Sequence, residues 1–203
     1  MYSKACLILT LFIFLSGFGC NSTDAFKRKT GPKFAPETSS WIKNIEHSGA
    51  TGMWLVTRGY HGSDHLVAVA TNAYLSHAAI LDLENRVVIE AIGKGVLETP
   101  LDKFLTASHR VLLVKPEGWT PKLGQEALAR AKEQLGKSYD FLGTVGIPKK
   151  DRWYCTELAV WSLGGTVNKF GAHKVIRPID MPKFGEVLFD SQNRDGKIEK
   201  VGP

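Results

Sequence analysis

Apolar residues along this chain form one dense block and then a series of shorter, patterned ones. Residues 6–15 are apolar apart from Thr10. After a polar stretch, Trp41, Ile42 and Ile45 recur at helical spacing, and with Ser or Thr available as caps they predict a helix over 38–47. Residues 53–58 read as a strand, while 65–71 fit an extended or a helical piece equally well. Two apolar, partly β-branched runs, 77–83 and 86–91, flank Glu84 and Asn85 and predict a β-hairpin. A short strand follows from Val96, Pro100 opens a one-turn helix, and 110–115 is a strand stopped by Pro116. The clearest helix spans 121–135: Pro121 suits its first turn, and Leu123, Ala127, Leu128, Ala131 and Leu135 form its apolar stripe. Gly124 weakens that first turn and Gly136 ends the helix. Residues 139–152 read as loop, 154–163 as a helix closed by Gly164 and Gly165, 180–184 as a helical turn and 186–189 as extended.

A helix, several strands, a helix and a helix starting at a cysteine make an α+β fold with an antiparallel sheet. The dense block fits a different role. Lys4 precedes it, and Ser16, Gly17, Phe18, Gly19 and Cys20 follow, which is the layout of a secretory signal. It is too short for a transmembrane helix, which needs about twenty residues. Gly19 leading into Cys20 resembles the bacterial lipobox, although Gly17 stands where Leu is usual and Phe18 is bulky; cleavage near Gly19 with Cys20 left as a free thiol is the alternative. The expected organisation is a signal over 1–20, a flexible tether over 21–37, a hydrolase domain over 38–189 and a polar tail over 190–203. That places the protein in a bacterial cell envelope, anchored by lipid on the periplasmic or extracellular face.

At 203 residues, with 43% hydrophobic and 23% charged residues, the chain is neither a fibre nor a disordered polymer. The net charge of +6 comes with short basic tracts (Lys27, Arg28, Lys29; Lys149, Lys150, Arg152) that read as solvated surface, drawn to anionic lipid or cell-wall polymer. No nucleic-acid motif accompanies them, so nucleic acid is not an expected partner. Of the three cysteines, Cys6 leaves with the signal and Cys20 carries lipid, which leaves Cys155 without a disulfide partner.

Cys155 opens a helical run, where first-turn N–H groups and the helix dipole favour an anion. Both lower a thiol pKa, and the same amides can hold an oxyanion. A buried small residue packed under Trp161 is the bland alternative. Six histidines compete as its base: His47, His61, His65, His77, His109 and His173. His77 stands apart because it starts an apolar strand after Ser76, a rigid place beside a cleft. If Glu84 and Asn85 form a two-residue loop, Glu90 faces Ala79, and His77 and Glu90 share a sheet face one diagonal step apart. Glu90 could then fix the imidazole tautomer; the alternative is a carboxylate facing solvent on a half-exposed strand.

The motifs Ser76-His77-Ala78-Ala79-Ile80, Val88-Ile89-Glu90-Ala91, Gly95-Val96, Pro100-Leu101, Leu135-Gly136-Lys137-Ser138-Tyr139-Asp140 and Tyr154-Cys155-Thr156-Glu157-Leu158, in this order, resemble the YiiX/YebB-like branch of the NlpC-type papain-like cysteine hydrolases. The resemblance covers roughly 52–184. It implies a circularly permuted papain-like fold, a small antiparallel barrel or sheet packed against helices, with the histidine preceding the cysteine. By motif, Cys155 matches the nucleophile, His77 the base and Glu90 the third member. Tyr139 and Tyr154 sit in matching motifs and could line the site or donate to the oxyanion.

Other signals are weaker. The polar run from Ser191 lacks the Asp and Glu that a calcium loop places first and twelfth, and the scattered histidines lack zinc spacing, so neither a metal nor a cofactor is expected. Gly93 and Gly95 around Lys94 make a turn, without the GKS or GKT of a phosphate loop. The expected function is hydrolysis of amide bonds, with peptidoglycan peptides as substrate class. The alternatives are a lipid acyltransferase or esterase, and a non-catalytic binding module of the same fold.

Overall fold

Strands buried on both faces read as continuous apolar runs, and this chain folds its runs into the middle layer of a three-layer arrangement. The structure is a computed structural model and describes residues 34–59, 74–164 and 175–194. The expected signal, Cys20, the tether up to residue 33, the 65–71 element, His61, His65, His173 and the tail beyond 194 lie outside the described residues. Among the described residues, no helix is long and apolar enough to cross a membrane.

In chain order the elements are α1 (Phe34–Ser48), β1 (Trp54–Gly59), β2 (His77–Asp82), β3 (Val87–Ile92), β4 (Gly95–Pro100), α2 (Leu101–Thr106) and β5 (Ser108–Pro116). They continue with α3 (Pro121–Lys132), β6 (Ser138–Tyr139), β7 (Arg152–Trp153), α4 (Cys155–Ser162), a 3-10 segment (Pro178–Phe184) and β8 (Gly185–Asp190). Six strands form an open antiparallel sheet in the order β4-β3-β2-β1-β5-β8, so it does not close into a barrel. β6 and β7 make a separate two-stranded parallel pair.

Side-chain alternation sends β-strand residues to two cores. Trp54, Val56, Ala78, Ile80, Ile89 and Ala91 pack against Ala127 and Ala131 of α3 and Leu158 and Ala159 of α4. On the other face Leu55, Ala79, Leu81, Val88 and Leu113 meet Trp41 and Ile45 of α1 and Phe104 and Leu105 of α2. Each fully buried aliphatic side chain among these contributes about 1.5–3 kcal/mol.

Three departures from the sequence reading have local causes. α1 begins at Phe34, not 38, since Pro36 is compatible with a first helical turn. α3 stops at Lys132, three residues early: the chain turns away at Gly136 (φ 82°), whose N–H donates to Val96 O at 2.9 Å while Lys137 O accepts from Val96 N at 2.8 Å. Gly124 is also more than a weak helix former, because a Cβ there would lie 2.3 Å from Thr51 O and 2.6 Å from Trp119 Nε1. Helix propensity is surrendered for close packing.

The chain past Asp190 is polar, yet its described end is built into the fold. Arg194 is buried, donates to Ser108 O, Leu105 O, Phe34 O, Thr38 Oγ1 and Glu37 Oε2, and lies 3.9 Å from the centre of the Trp41 ring. Its forked donors thereby tie α1 to α2 and the start of β5.

Candidate active site

The hairpin of β2 and β3 sets the geometry. Its turn is the four-residue stretch 83–86, not the two-residue loop expected, and Arg86 takes a left-handed φ of 54°. Asp82 accepts from Asn85 N at 3.2 Å, which favours the longer turn. Two and four are both even, so the parity survives: Ala79 pairs with Glu90. His77 and Glu90 therefore share the sheet face that packs against α1 and α2.

His77 Nε2 and Glu90 Oε2 are 2.6 Å apart. Glu90 is 7% exposed, so it does not face solvent, and its other oxygen, Oε1, accepts from Thr99 Oγ1 at 2.5 Å. Thr99 lies on β4 opposite Val88, on the same face as Glu90. The Phe104 ring, with its centre 6.0 Å from that of His77, walls the imidazole on the α2 side.

α4 supplies the sulfur. Cys155 is its first residue and Tyr154 its N-cap. The thiol is buried, at 7% exposure, and free of any disulfide. Glu90 engages Nε2 of the ring, and Cys155 hydrogen-bonds to the same imidazole. Burial works against charge on the imidazole, but the hydrogen bonds to Cys155 and Glu90, and the charges those groups carry, hold its pKa well above the ordinary 6.5. The ring therefore holds a proton more readily than a free imidazole does.

The structure thus gathers Cys155, His77 and Glu90 from α4, β2 and β3. It gives the two tyrosines other contacts. Tyr154 turns its hydroxyl to Ile176, accepting from that N–H at 3.4 Å, and burial pushes the phenol up to about 12, so it stays protonated. Thr156 Oγ1 donates to Ile176 O at 2.5 Å, so the first turn of α4 grips one residue by both its backbone groups. Tyr139 pairs with Trp153 between β6 and β7, and its ring centre is 4.7 Å from that of Phe141. Of the other described histidines, His47 is exposed near the end of α1 and His109 is on β5.

Sequence reasoning missed Thr99 and Phe104, and it named Asp140 and Glu157 only within motifs, without a role. Thr99 was reachable by carrying hairpin parity one strand further. Asp140, only 1% exposed, accepts from Gly143 N at 2.9 Å and Lys149 N at 2.7 Å and shapes the loop before β7. Glu157 accepts from Tyr154 N at 3.4 Å, half of a capping box, and burial raises its carboxyl to about 7. A surface cavity of about 480 Å³, lined by Lys115, Trp119, Lys183 and Glu186 among others, lies toward the opposite end of the sheet from His77 and contains none of these site residues.

A family model described as permuted papain-like amidase enzyme, YaeF/YiiX, C92 family, matches residues 59–192. Among solved structures the chain is similar to the metalloprotein yiiX from Escherichia coli O157:H7, with a TM-score of 0.51 and 23% identity over 67% of this chain and 80% of that one. At that identity the likeness concerns the fold. No curated protein matches the chain. Among the residues described here, no group of three or more His, Cys, Asp or Glu side chains is arranged to hold a metal ion.

Proposed function

The chain belongs to the family of permuted papain-like amidases, and from that premise we propose that it is a thiol hydrolase of amide bonds in which Cys155 is the nucleophile, His77 the base and Glu90 the residue that orients the base. The observation that carries this reading is the relay itself: Glu90 holds one nitrogen of His77 at 2.6 Å, and the ring hydrogen-bonds to Cys155 at the first position of α4.

The chemistry follows from the positions. His77 takes the thiol proton, and the thiolate attacks the amide carbonyl carbon. The new oxyanion is held by N–H groups of the first turn of α4, which have no acceptor within the helix. His77 returns its proton to the leaving nitrogen as the C–N bond breaks, releasing the amine. Water then adds to the thioester with His77 as base, and the acid leaves with the Cys155 thiol restored. Glu90, fixed by Thr99, keeps the ring oriented and stabilises its protonated state.

The substrate class proposed is cell-wall peptides, and the location a bacterial envelope, with Cys20 as lipid anchor. Support for both comes from the first twenty residues, which have the layout of an exported lipoprotein, and from a surface of net positive charge. The test is product analysis by mass spectrometry after incubation of the full chain, or its Cys155→Ala variant, with muropeptides and, separately, with phospholipid vesicles. Amide cleavage of muropeptides by the wild type alone is the expected result. Ester cleavage of the lipids without amide products would replace the substrate class. Equal turnover by the variant would remove Cys155 from the mechanism.

A further inference from the structure

Next to the start of α4 lies a loop that exposes its apolar side chains. Phe141, Leu142, Val145 and Ile147 are 64%, 45%, 70% and 56% exposed, within seven consecutive residues. Isolated exposed hydrophobes are ordinary; four on one short loop are a patch. The loop is held firmly in this arrangement. Asp140 binds the N–H groups of Gly143 and Lys149 at its two ends, and Thr144 Oγ1 donates to Phe141 O at 2.7 Å. Gly143 is required at its place, since a Cβ would lie 2.6 Å from Asp140 Oδ2. None of these bonds buries the four apolar side chains.

The rim of the patch is basic. Lys149, Lys150 and Arg152 follow it directly and are exposed, and Lys94 is exposed beside Gly93, where a Cβ would lie 3.7 Å from Phe141 Cζ. Residues 141–150 contain no Asp or Glu. The neighbouring Asp151 pairs with Lys137 at 2.9 Å, which leaves the cations of the rim largely uncompensated.

We infer that the 141–147 loop and its lysine-rich rim form a docking surface for an anionic lipid bilayer, independent of any lipid on Cys20 and of the role given to Cys155. Two features favour a bilayer over a protein partner. Protein interfaces are depleted in Lys, whereas Lys94, Lys149 and Lys150 border this exposed tip. The backbone of the tip also satisfies itself: Val145 N and Ile147 N donate to Leu142 O at 3.1 and 3.0 Å, and Gly146 N to Gly143 O at 3.0 Å. Entering the boundary between headgroups and acyl chains therefore strands few backbone groups. Each cation held near an anionic surface strengthens binding roughly fivefold at physiological salt. Because Gly143 packs against Tyr154, docking would hold the start of α4 close to the membrane surface.

Hydrogen exchange of the full-length protein reads the loop directly, whatever the N-terminus does. With phosphatidylglycerol–phosphatidylcholine vesicles, amides across 141–150 are expected to slow by about tenfold relative to vesicle-free protein. Pure phosphatidylcholine vesicles should give little slowing, and high salt should reverse most of the effect. The Phe141→Ser/Val145→Ser double variant, altered at exposed positions, should lose the slowing with its circular dichroism unchanged. Unchanged exchange at this loop while the protein sediments with the anionic vesicles would overturn the proposal. Equal slowing on neutral vesicles would overturn its anionic part. Slowing without vesicles that grows with protein concentration would assign the patch to a second copy of the chain instead.

Discussion

The two ends of β2 each bury a charged pair, and the difference between them separates structure from chemistry. At the far end Asp82 is saturated: it accepts from Asn85 N at 3.2 Å, Asn85 Nδ2 at 2.9 Å and Lys132 Nζ at 2.7 Å. Every partner belongs to the turn or to α3, and no nucleophile adjoins it. At the near end Glu90 is equally saturated, by His77 and Thr99, but the His77 ring also meets a thiol. A closed pair fixes a hairpin; a pair with one open valence can move a proton. Their titrations also run in opposite directions. Burial raises the Asp82 carboxyl, but Lys132 and Asn85 outweigh it and leave the pKa lowered. His77 is raised.

This contrast can be broken at several points. The largest effect is expected for Cys155→Ala, which should reduce single-turnover amide cleavage by roughly 10⁴-fold or more while leaving the melting temperature within a few degrees. Next is His77→Gln. In the wild type, His77 beside the sulfur should assist alkylation of Cys155 by iodoacetamide. In the variant no neighbouring base is left to take the thiol proton, and alkylation should slow by roughly a hundredfold. If the two alkylation profiles coincide, the imidazole does not act on this sulfur. Glu90→Gln should lower turnover by a smaller factor, about tenfold to a hundredfold, and should bring the His77 pKa down, seen by NMR titration of the ring.

Asp82→Asn at the other end should leave turnover within about twofold but destabilise the fold by about 1–2 kcal/mol, toward the low side for a buried pair because Lys132 is 35% exposed. The smallest signatures are in stability against pH. Protonated His77 stabilises the native state fully below about pH 6.5, and that contribution fades as pH rises through the higher folded pKa. Asp82 contributes above its unfolded pKa, near 4, and loses its contribution as pH falls through the lower folded value. Chemical denaturation across pH should therefore show one slope at each end of the range in the wild type, with His77→Gln losing the first and Asp82→Asn the second. A shared slope would mean that the two pairs are not energetically distinct.

How much of this was legible from residues alone follows from the distance over which each feature is determined. The β2–β3 hairpin and its face could be read because parity is a local count that survives an error in turn length. The helix at Cys155 was legible from its apolar run and closing Gly164. The end of α3 was not, because Gly136 and Lys137 leave the helix to bond with Val96, some forty residues earlier in the chain. Thr99 was overlooked because its role needs the register of a third strand. Arg194 gave no local signal, since everything it binds lies far back in the sequence. The open sheet, where the family resemblance allowed a barrel, reflects edges at β4 and β8 that no strand pattern reveals.

That arginine carries a consequence for timing. Its donor to Phe34 O spans 160 positions, and its other acceptors sit at Glu37, Thr38, Leu105 and Ser108. Until residue 194 has been synthesised and has found its seat, the first helix holds to the sheet through Trp41 and Ile45 without these bonds. A nascent chain shorter than this leaves residues 34–48 without that latch. Chains cut at residue 190 should accordingly exchange the α1 amides faster than the full-length chain does.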